Sequence, residues 1–282
     1  MEFLQPTTWA DAVSAKAEHP DAVPIAGGTD LMVGLNFGAA PPPALLDLTA
    51  IPEITDWERD GGTVRLGAGL TYARLIAELA HAVPALATAA RTVGSPQIRN
   101  RATVAGNLGT ASPAGDSHPP LLATGATVEA ESVRGQRLID IDDFFVGVKR
   151  NALAPDELIR AVRVPVVGPG QQFAKVGSRN AMVIAVCSFA VAIDPRQRTV
   201  RCGLGSAAPT PRRASAAEAF AEQALPWGGG ALDEEVVRMF GEQVSAAASA
   251  IDDVRGTAPY RRQALAVLGR RTLIWAWNAV AA

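Results

Sequence analysis

The sequence predicts an α+β fold built in two parts, and three observations carry that expectation. Before residue 165, short apolar runs of strand character alternate with amphipathic helical stretches. At residues 166–172, "VVGPGQQ" places Gly-Pro-Gly where no regular element continues, the best linker in the chain. Beyond it, "MVIAVCSFAVAI" and "TVRCGLGSA" flank "DPRQR" as the arms of a hairpin, and helical patterns follow. The expected division is a strand-rich part over 1–168 and a smaller hairpin-plus-helices part over 169–282.

The elements follow in order. Thr8-x-x-Asp11 has the form of a capping box ahead of a first helix over 12–17. A short strand at 23–26 runs into Gly27-Gly28, and further strands are expected at 45–48 and 64–68. Thr71 opens an amphipathic helix over 72–80, and Pro84 begins another that reaches Val93. Two loops are expected next, at 94–107 and 111–120. They are followed by a strand at 126–131, a helical turn at 142–145 and a strand at 158–164 stopped by Pro165. The second part carries helical patterns at 214–223, 233–250 and 260–281. Phe144-Phe145 reads as an anchor before the linker. Trp275 and Trp277 fall on opposite sides of one helix, one for the core and one for an interface.

Composition narrows the function. The chain has 282 residues, 48% hydrophobic and 19% charged, with a formal net charge of -2. That balance suits a globular protein and provides no basic field for nucleic acid. The longest apolar run, 181–193, is broken by Ser188 and falls short of the ~20 residues a membrane span needs. Residues 1–9 lack the pattern of a secretory signal, and Cys187 and Cys202 sit in strand-like segments, so a cytoplasmic protein is expected. Three histidines, none paired at ligand spacing, and two cysteines leave no iron–sulfur cluster of the chain's own and no zinc ribbon. Any redox centre bound here must be an organic cofactor.

Two polar segments are candidates to hold it. In "PIAGGTDL", paired glycines followed by Thr29 and Asp30 make either a tight turn or a nest of amides suited to a diphosphate. The G-x-G-x-x-G fingerprint is missing, and no βαβ unit is evident around it. In "RNRATVAGNLGTASPAGD", Ala105 and Gly106 permit close backbone approach, and Asn107 can donate and accept. Thr103, Thr110 and Ser112 add hydroxyls, and Asp116 can accept from ribose hydroxyls. A structured surface loop accounts for the same composition. Lys175 and Arg179 in "FAKVGSRN" are either a solvated basic pair or groups reaching back across the junction of the two parts. "RGTAPYRRQA" suits a helix start or a subunit contact equally.

Taken together, "PIAGGTDL", "LGAGLTYARL", "GSPQIRNRATVAGNLGTASPAGD", "FAKVGSRNAMVIA" and "YRRQALAVLGRR" resemble the FAD-binding subunit of the xanthine dehydrogenase family of molybdenum hydroxylases. That group includes the medium subunit of aerobic carbon monoxide dehydrogenase. The resemblance runs in order along essentially the whole chain. It implies an FAD-binding domain of the vanillyl-alcohol-oxidase type (PCMH type), then a small α+β domain of three antiparallel strands and helices.

The resemblance also implies residue roles. Ile25, Ala26, Gly27, Gly28, Thr29, Asp30 and Leu31 would wrap the FAD diphosphate. Thr103, Ala105, Gly106 and Asn107 would contact the diphosphate and the neighbouring flavin, while Thr110 and Ser112 are cofactor-binding candidates through their hydroxyls. Asp116 would take the adenosine ribose, Ile159 would pack near the cofactor, and Lys175 would reach the isoalloxazine side. No catalytic acid, base or metal ligand is implied in this chain. Molybdopterin would belong to a large partner subunit and [2Fe–2S] clusters to a small one, with electrons leaving FAD for NAD, a quinone or oxygen. Purine is the default substrate class. Two positions depart from relatives: Val183 stands where an aspartate is common, and Val93 where some place an aromatic residue. The cysteine-bearing insertion of hydroxybenzoyl-CoA reductases is missing. The alternatives are a carbon monoxide dehydrogenase-like medium subunit, a free-standing FAD oxidoreductase, and a cofactor-free module whose glycines only make turns.

Overall fold

The computed structural model describes residues 1–281; Ala282, the last residue of the expected second part, lies outside them. The chain opens with strand β1 (Glu2–Leu4), helix α1 (Trp9–Glu18), strand β2 (Val23–Ile25), helix α2 (Leu31–Asn36) and strand β3 (Ala44–Asp47). The three strands form a parallel sheet in the order β1-β3-β2. A βαβ unit therefore does surround Gly27-Gly28, contrary to the sequence expectation. Three-residue strands leave too short a run for a pattern to register. The Thr8 hydroxyl caps α1 by accepting from the Asp11 amide. One α1 face buries Trp9, Ala12, Val13 and Lys16, the helical i, i+3, i+4, i+7 stripe. Lys16 ends its reach on the carbonyls of Pro20 (2.9 Å) and Ala22 (2.6 Å), and burial lowers its pKa.

The next region holds strands β4 (Trp57–Asp60) and β5 (Thr63–Gly67), then helices α3 (Tyr72–Glu78), α4 (Pro84–Thr92), α5 (Pro96–Arg99), α6 (Val104–Thr110) and α7 (His118–Thr124). Strands β6 (Thr127–Ser132) and β7 (Gly135–Asp140), the turn α8 (Ile141–Phe144), the small pair β8 (Phe145–Gly147) and β9 (Arg150–Asn151), and strand β10 (Leu158–Pro165) complete it. The five long strands form an antiparallel sheet in the order β4-β5-β10-β6-β7. The two segments expected as loops, 94–107 and 111–120, thus contain α5 and parts of α6 and α7. Gly106 and Gly109 depress the helix propensity of α6, which tertiary packing overrides.

After residues 166–170 come strands β11 (Gln171–Val176), β12 (Cys187–Asp194) and β13 (Thr199–Gly205), an antiparallel sheet in that order. Helices α9 (Ser215–Ala224), α10 (Glu234–Ala246) and α11 (Ala258–Ala281) follow. They bury Phe189, Phe240, Leu265 and Leu273 against the sheet. Trp277 is the core tryptophan of its pair, whereas Trp275 is exposed. A cluster of small residues, Ala85, Ala89 and Ala123 with Phe173, Ala190 and Ala192, joins α4 and α7 to this last sheet. Ion pairs from Asp142 to Arg201 (3.1 Å) and Arg213 (2.9 Å) bridge the same seam. The seam matters because the C-terminal end of α4 and the approach to α7 also border the candidate site.

Candidate functional site

A cavity of about 460 Å³ opens between the turn after β2, the segment 93–116 and residues 182–184. Its first wall is an arch from Ile25 to Leu31. Gly27 must be glycine: a Cβ there would stand 2.2 Å from the carbonyl oxygen of Arg101 and 2.9 Å from the amide nitrogen of Ala102. Gly28 sits at φ +71°, a conformation that costs an L-residue about 1–2 kcal/mol. Among the described residues, the amides of Gly27, Gly28, Thr29 and Asp30 donate to no protein acceptor. The arch therefore offers a run of free N–H groups on the cavity wall, just ahead of α2. A diphosphate is the ligand such a nest suits.

The second wall is α6 together with the chain from its C-terminus to Asp116. Thr103 caps the helix, its hydroxyl accepting from the Gly106 amide at 2.9 Å. Helical periodicity then places Thr103, Gly106, Asn107 and Thr110 on the cavity, and Val104, Ala105 and Leu108 in the apolar core. Ala105, expected on the wall as part of a loop, faces away because the segment is helical. Ile159 also lies in the core, at an irregularity of β10 beneath α6, and not on the cavity. Ser112 lines the wall, close to Asp116.

Asp116 is 8% exposed. Its Oδ2 accepts from Thr92 Oγ1 (3.0 Å) and from Lys175 Nζ (2.5 Å), while Oδ1 is buried without a partner. Burial pushes its carboxyl up, against the downward pull of the Lys175 ammonium beside it. Lys175 also donates to the Thr92 carbonyl (3.2 Å), so it reaches across the seam as one alternative required. It lines a neighbouring cavity and not this one.

Several wall and support residues carried no sequence signal as site residues. Tyr72, Ser95, Ile98, Met182 and Ile184 line the cavity. Behind it, the Tyr72 hydroxyl donates to Ser117 Oγ (3.3 Å), and Ser117 donates to Asn107 Oδ1 (2.6 Å). His118 Nε2 lies 3.2 Å from the Asn107 carbonyl, which can only accept, so this nitrogen carries the proton. Full burial lowers the His118 pKa to about 4, so the ring is neutral near pH 7. The polar pair Ser117-His118, standing between Asp116 and an apolar helix, was the available clue. Val93 and Val183, the two departures from the family pattern, both line the cavity and present only aliphatic surface.

Tyr72 is fully buried and its pKa is raised by burial. The cavity is thus furnished with amides, hydroxyls and one unsatisfied carboxylate oxygen, an arrangement for binding a nucleotide. Among the described residues no cluster of three metal-ligating side chains occurs, and no helix is long and apolar enough to cross a membrane.

Comparison with known proteins agrees with that geometry. Residues 1–167 match the family model described as the FAD binding domain in molybdopterin dehydrogenase, and residues 172–276 the CO dehydrogenase flavoprotein C-terminal domain. The nicotine 6-hydroxylase medium subunit of Paenarthrobacter nicotinovorans is 33% identical over 281 residues, 97% of this chain and 96% of its own. The xanthine dehydrogenase FAD-binding subunit of Escherichia coli O157:H7 is 32% identical over 79% of each chain. Among solved structures, a chain of the carbon monoxide dehydrogenase of Hydrogenophaga pseudoflava superimposes with a TM-score of 0.90 at 30% identity, covering 99% of this chain and 98% of that one.

Proposed function

Because this chain belongs to the family of FAD-binding medium subunits of molybdenum hydroxylases, we propose that it is the electron-exit subunit of a xanthine dehydrogenase-type complex. It is an oxidoreductase component whose cofactor is FAD. In the proposed assembly a large subunit holds the molybdenum cofactor and hydroxylates a nitrogen heterocycle of the purine kind. A small subunit carries the [2Fe–2S] clusters, and NAD takes the electrons from this chain. A cytoplasmic location belongs to the same proposal, as does the division into an FAD-binding part over 1–168 and a flavoprotein C-terminal part beyond it.

When bound, FAD supplies a centre that accepts electrons singly and releases a pair as hydride. The residues of this chain bind and orient it. The amides of Gly27 to Asp30 would receive the diphosphate, with Ile25, Ala26 and Leu31 completing the arch. The Thr103 hydroxyl, whose oxygen already caps α6, keeps its proton free to donate into the cavity. Asn107 has its carbonyl oxygen held by Ser117, which leaves its NH₂ as the donor. Thr110 and Ser112 add hydroxyls. Asp116 Oδ1 would accept from a ribose hydroxyl, and Lys175 keeps that carboxylate in place from the opposite side of the seam. The observation that carries the proposal is the pairing, in one cavity, of four unpartnered amides with a buried carboxylate oxygen that lacks a donor.

The direct test is to purify the full chain, reconstitute it with excess FAD, desalt it, and record its visible spectrum. The expected outcome is stoichiometric bound flavin and co-purification with molybdenum and iron–sulfur polypeptides. A colourless chain that associates with neither overturns the proposal. The carbon monoxide dehydrogenase-like reading is favoured by the near-complete superposition on that enzyme's chain. Assay of the purified complex with carbon monoxide and with purines distinguishes the two.

A further inference from the structure

The segment "RGTAPYRRQA" leads into α11, and it gives two adjacent arginines opposite fates. Arg262 is exposed, whereas Arg261 is 4% exposed. The buried guanidinium is spread over three acceptors. Its Nη1 donates to the Ser206 carbonyl (2.9 Å), its Nε to the Gly256 carbonyl (3.5 Å), and its Nη2 to Asp253 Oδ1. Asp253 also takes the exposed Arg255 on its other oxygen (3.0 Å). A buried ion pair seldom adds net stability over an apolar side chain of the same volume, so packing alone does not call for a guanidinium here. What its planar fork does is fix geometry, tying the loop 253–256 to the end of β13.

Ser206 is the first residue past β13, and it is left-handed at φ +53°. Its Oγ is buried without a partner, so the residue is held by its backbone. The carbonyl receives Arg261, and the amide donates to the Pro113 carbonyl at 2.8 Å. Pro113 lies inside a turn closed by the Gly115 amide on the Ser112 carbonyl (2.9 Å). Ser112, Ala114, Gly115 and Asp116 of that segment line the first cavity. The C-terminal part of the chain thus grips this wall at two points, Lys175 on the Asp116 side chain and Ser206 on the backbone. Just before Ser206, β13 is set flush on the start of α7: a Cβ at Gly203 would stand 2.5 Å from the Pro119 carbonyl oxygen.

We propose that Arg261, which does not touch the cavity, is a positioning residue for FAD: through Ser206 it holds the wall from Ser112 to Asp116 on which the adenosine ribose would rest. The inference rests on the FAD reading above and adds to it a residue that acts from outside the site. Left-handed backbone at a residue other than glycine persists where its surroundings over-determine it. Here the surroundings are Arg261 on the carbonyl side and Pro113 on the amide side. Neither Arg261, Ser206 nor Asp253 lines the cavity, so their influence on the cofactor travels through these bonds. Linkage makes that influence mutual. If the strut favours bound FAD, bound FAD favours the closed strut by the same factor.

The full wild-type chain is loaded with FAD and desalted, and its hydrogen–deuterium exchange is compared with that of the apo chain. In parallel, the FAD dissociation constant is measured by flavin fluorescence for wild type, Arg261→Met and Arg255→Ala. Arg255→Ala removes the other guanidinium from Asp253 and leaves Ser206 bonded. On FAD loading, exchange is expected to slow about ten-fold at the Ser206 amide and over 253–256. FAD is expected to bind about ten-fold more weakly to Arg261→Met and with unchanged affinity to Arg255→Ala. The exchange comparison uses wild type alone, so it decides the matter even where Arg261→Met fails to fold. Unchanged exchange on loading overturns the proposal, as does wild-type FAD affinity in a folded Arg261→Met, or an equal loss of affinity in Arg255→Ala. A wild-type chain that takes up no flavin, known by its missing colour, overturns the FAD reading and this inference together. Bound flavin with any of the other three failures overturns the inference alone.

Discussion

The arch over Gly27–Leu31 and the arch over Thr103–Asp116 line the same cavity, but they are attached to the molecule in different ways. The first leads into α2, a helix with no buried residue, followed by Phe37 at 88% exposure. The second is helical, buries Val104, Ala105 and Leu108, and rests on the Tyr72–Ser117–Asn107 chain and on His118. The first arch contributes amides that folding leaves unused; the second contributes side chains that folding has already oriented. On this difference cofactor binding and stability are expected to separate along the chain, and substitutions should separate them too.

The largest expected effect is where the first arch meets the chain just ahead of the second. In Gly27→Val the new side chain would overlap the backbone at Arg101 and Ala102, which cannot retreat as a side-chain tip could. A loss of about 4 kcal/mol is expected, together with loss of FAD. Urea denaturation of the apo chain measures it, and an unchanged midpoint would show that residue 27 does not press on the backbone at Arg101 and Ala102.

Next is a pH effect confined to the second arch. His118 has a folded pKa of about 4 against an ordinary value of 6.5, so between these values the unfolded chain binds the proton and the folded one does not. Stability contributed by the neutral ring is therefore fully present above about pH 6.5. It falls as pH drops, and about 3 kcal/mol is gone by pH 4. Denaturation midpoints across this range should fall more steeply in the wild type than in His118→Gln. Parallel profiles would remove His118 from the account.

A smaller effect is expected at Ser117→Ala. It leaves Asn107 Oδ1 without its donor and the Tyr72 hydroxyl without its acceptor, both behind the wall. About 2 kcal/mol of stability should be lost. FAD should bind more weakly as well, because the Asn107 amide is no longer held with its NH₂ toward the cavity. Thermal unfolding and flavin fluorescence titration read the two consequences separately.

The same contrast explains how much could be read beforehand. Local chemistry was legible: Thr8 and Thr71 cap the helices they were expected to open, and "DPRQR" turns between β12 and β13. Strands with polar or exposed residues were not, as in β7, where Gly135 to Leu138 is exposed, or in the three-residue β1. Both glycine-bearing segments stand out by composition as cofactor-holding candidates, but Gly106 and Gly109 hide the helical state of α6 and with it the inward turn of Ala105. The Asp116–Lys175 contact spans 59 positions and joins the approach to α7 to β11. Such convergence depends on the seam between sheets and leaves no trace in a local pattern.

The smallest expected effect on folding belongs to Gly28→Val, and it is the sharpest test of the contrast between the arches. Residue 28 has φ +71°, and a Cβ there would meet only the flexible ends of Met32 (3.3 Å) and Ile25 (3.4 Å). The backbone strain is roughly 1–2 kcal/mol, and no buried polar group loses a partner. The apo chain should fold and melt a few degrees lower. Its capacity for FAD should nevertheless vanish, because the strained residue relaxes by turning the very amides that line the cavity, and the branched side chain enters the space the phosphates require. Gly28→Val and Ser117→Ala thus predict opposite rankings, the first milder in denaturation and the harsher in flavin retention. Measuring both variants for both properties decides whether the two arches divide the work in this way; equal rankings would mean that the cofactor site and the fold are one cooperative unit.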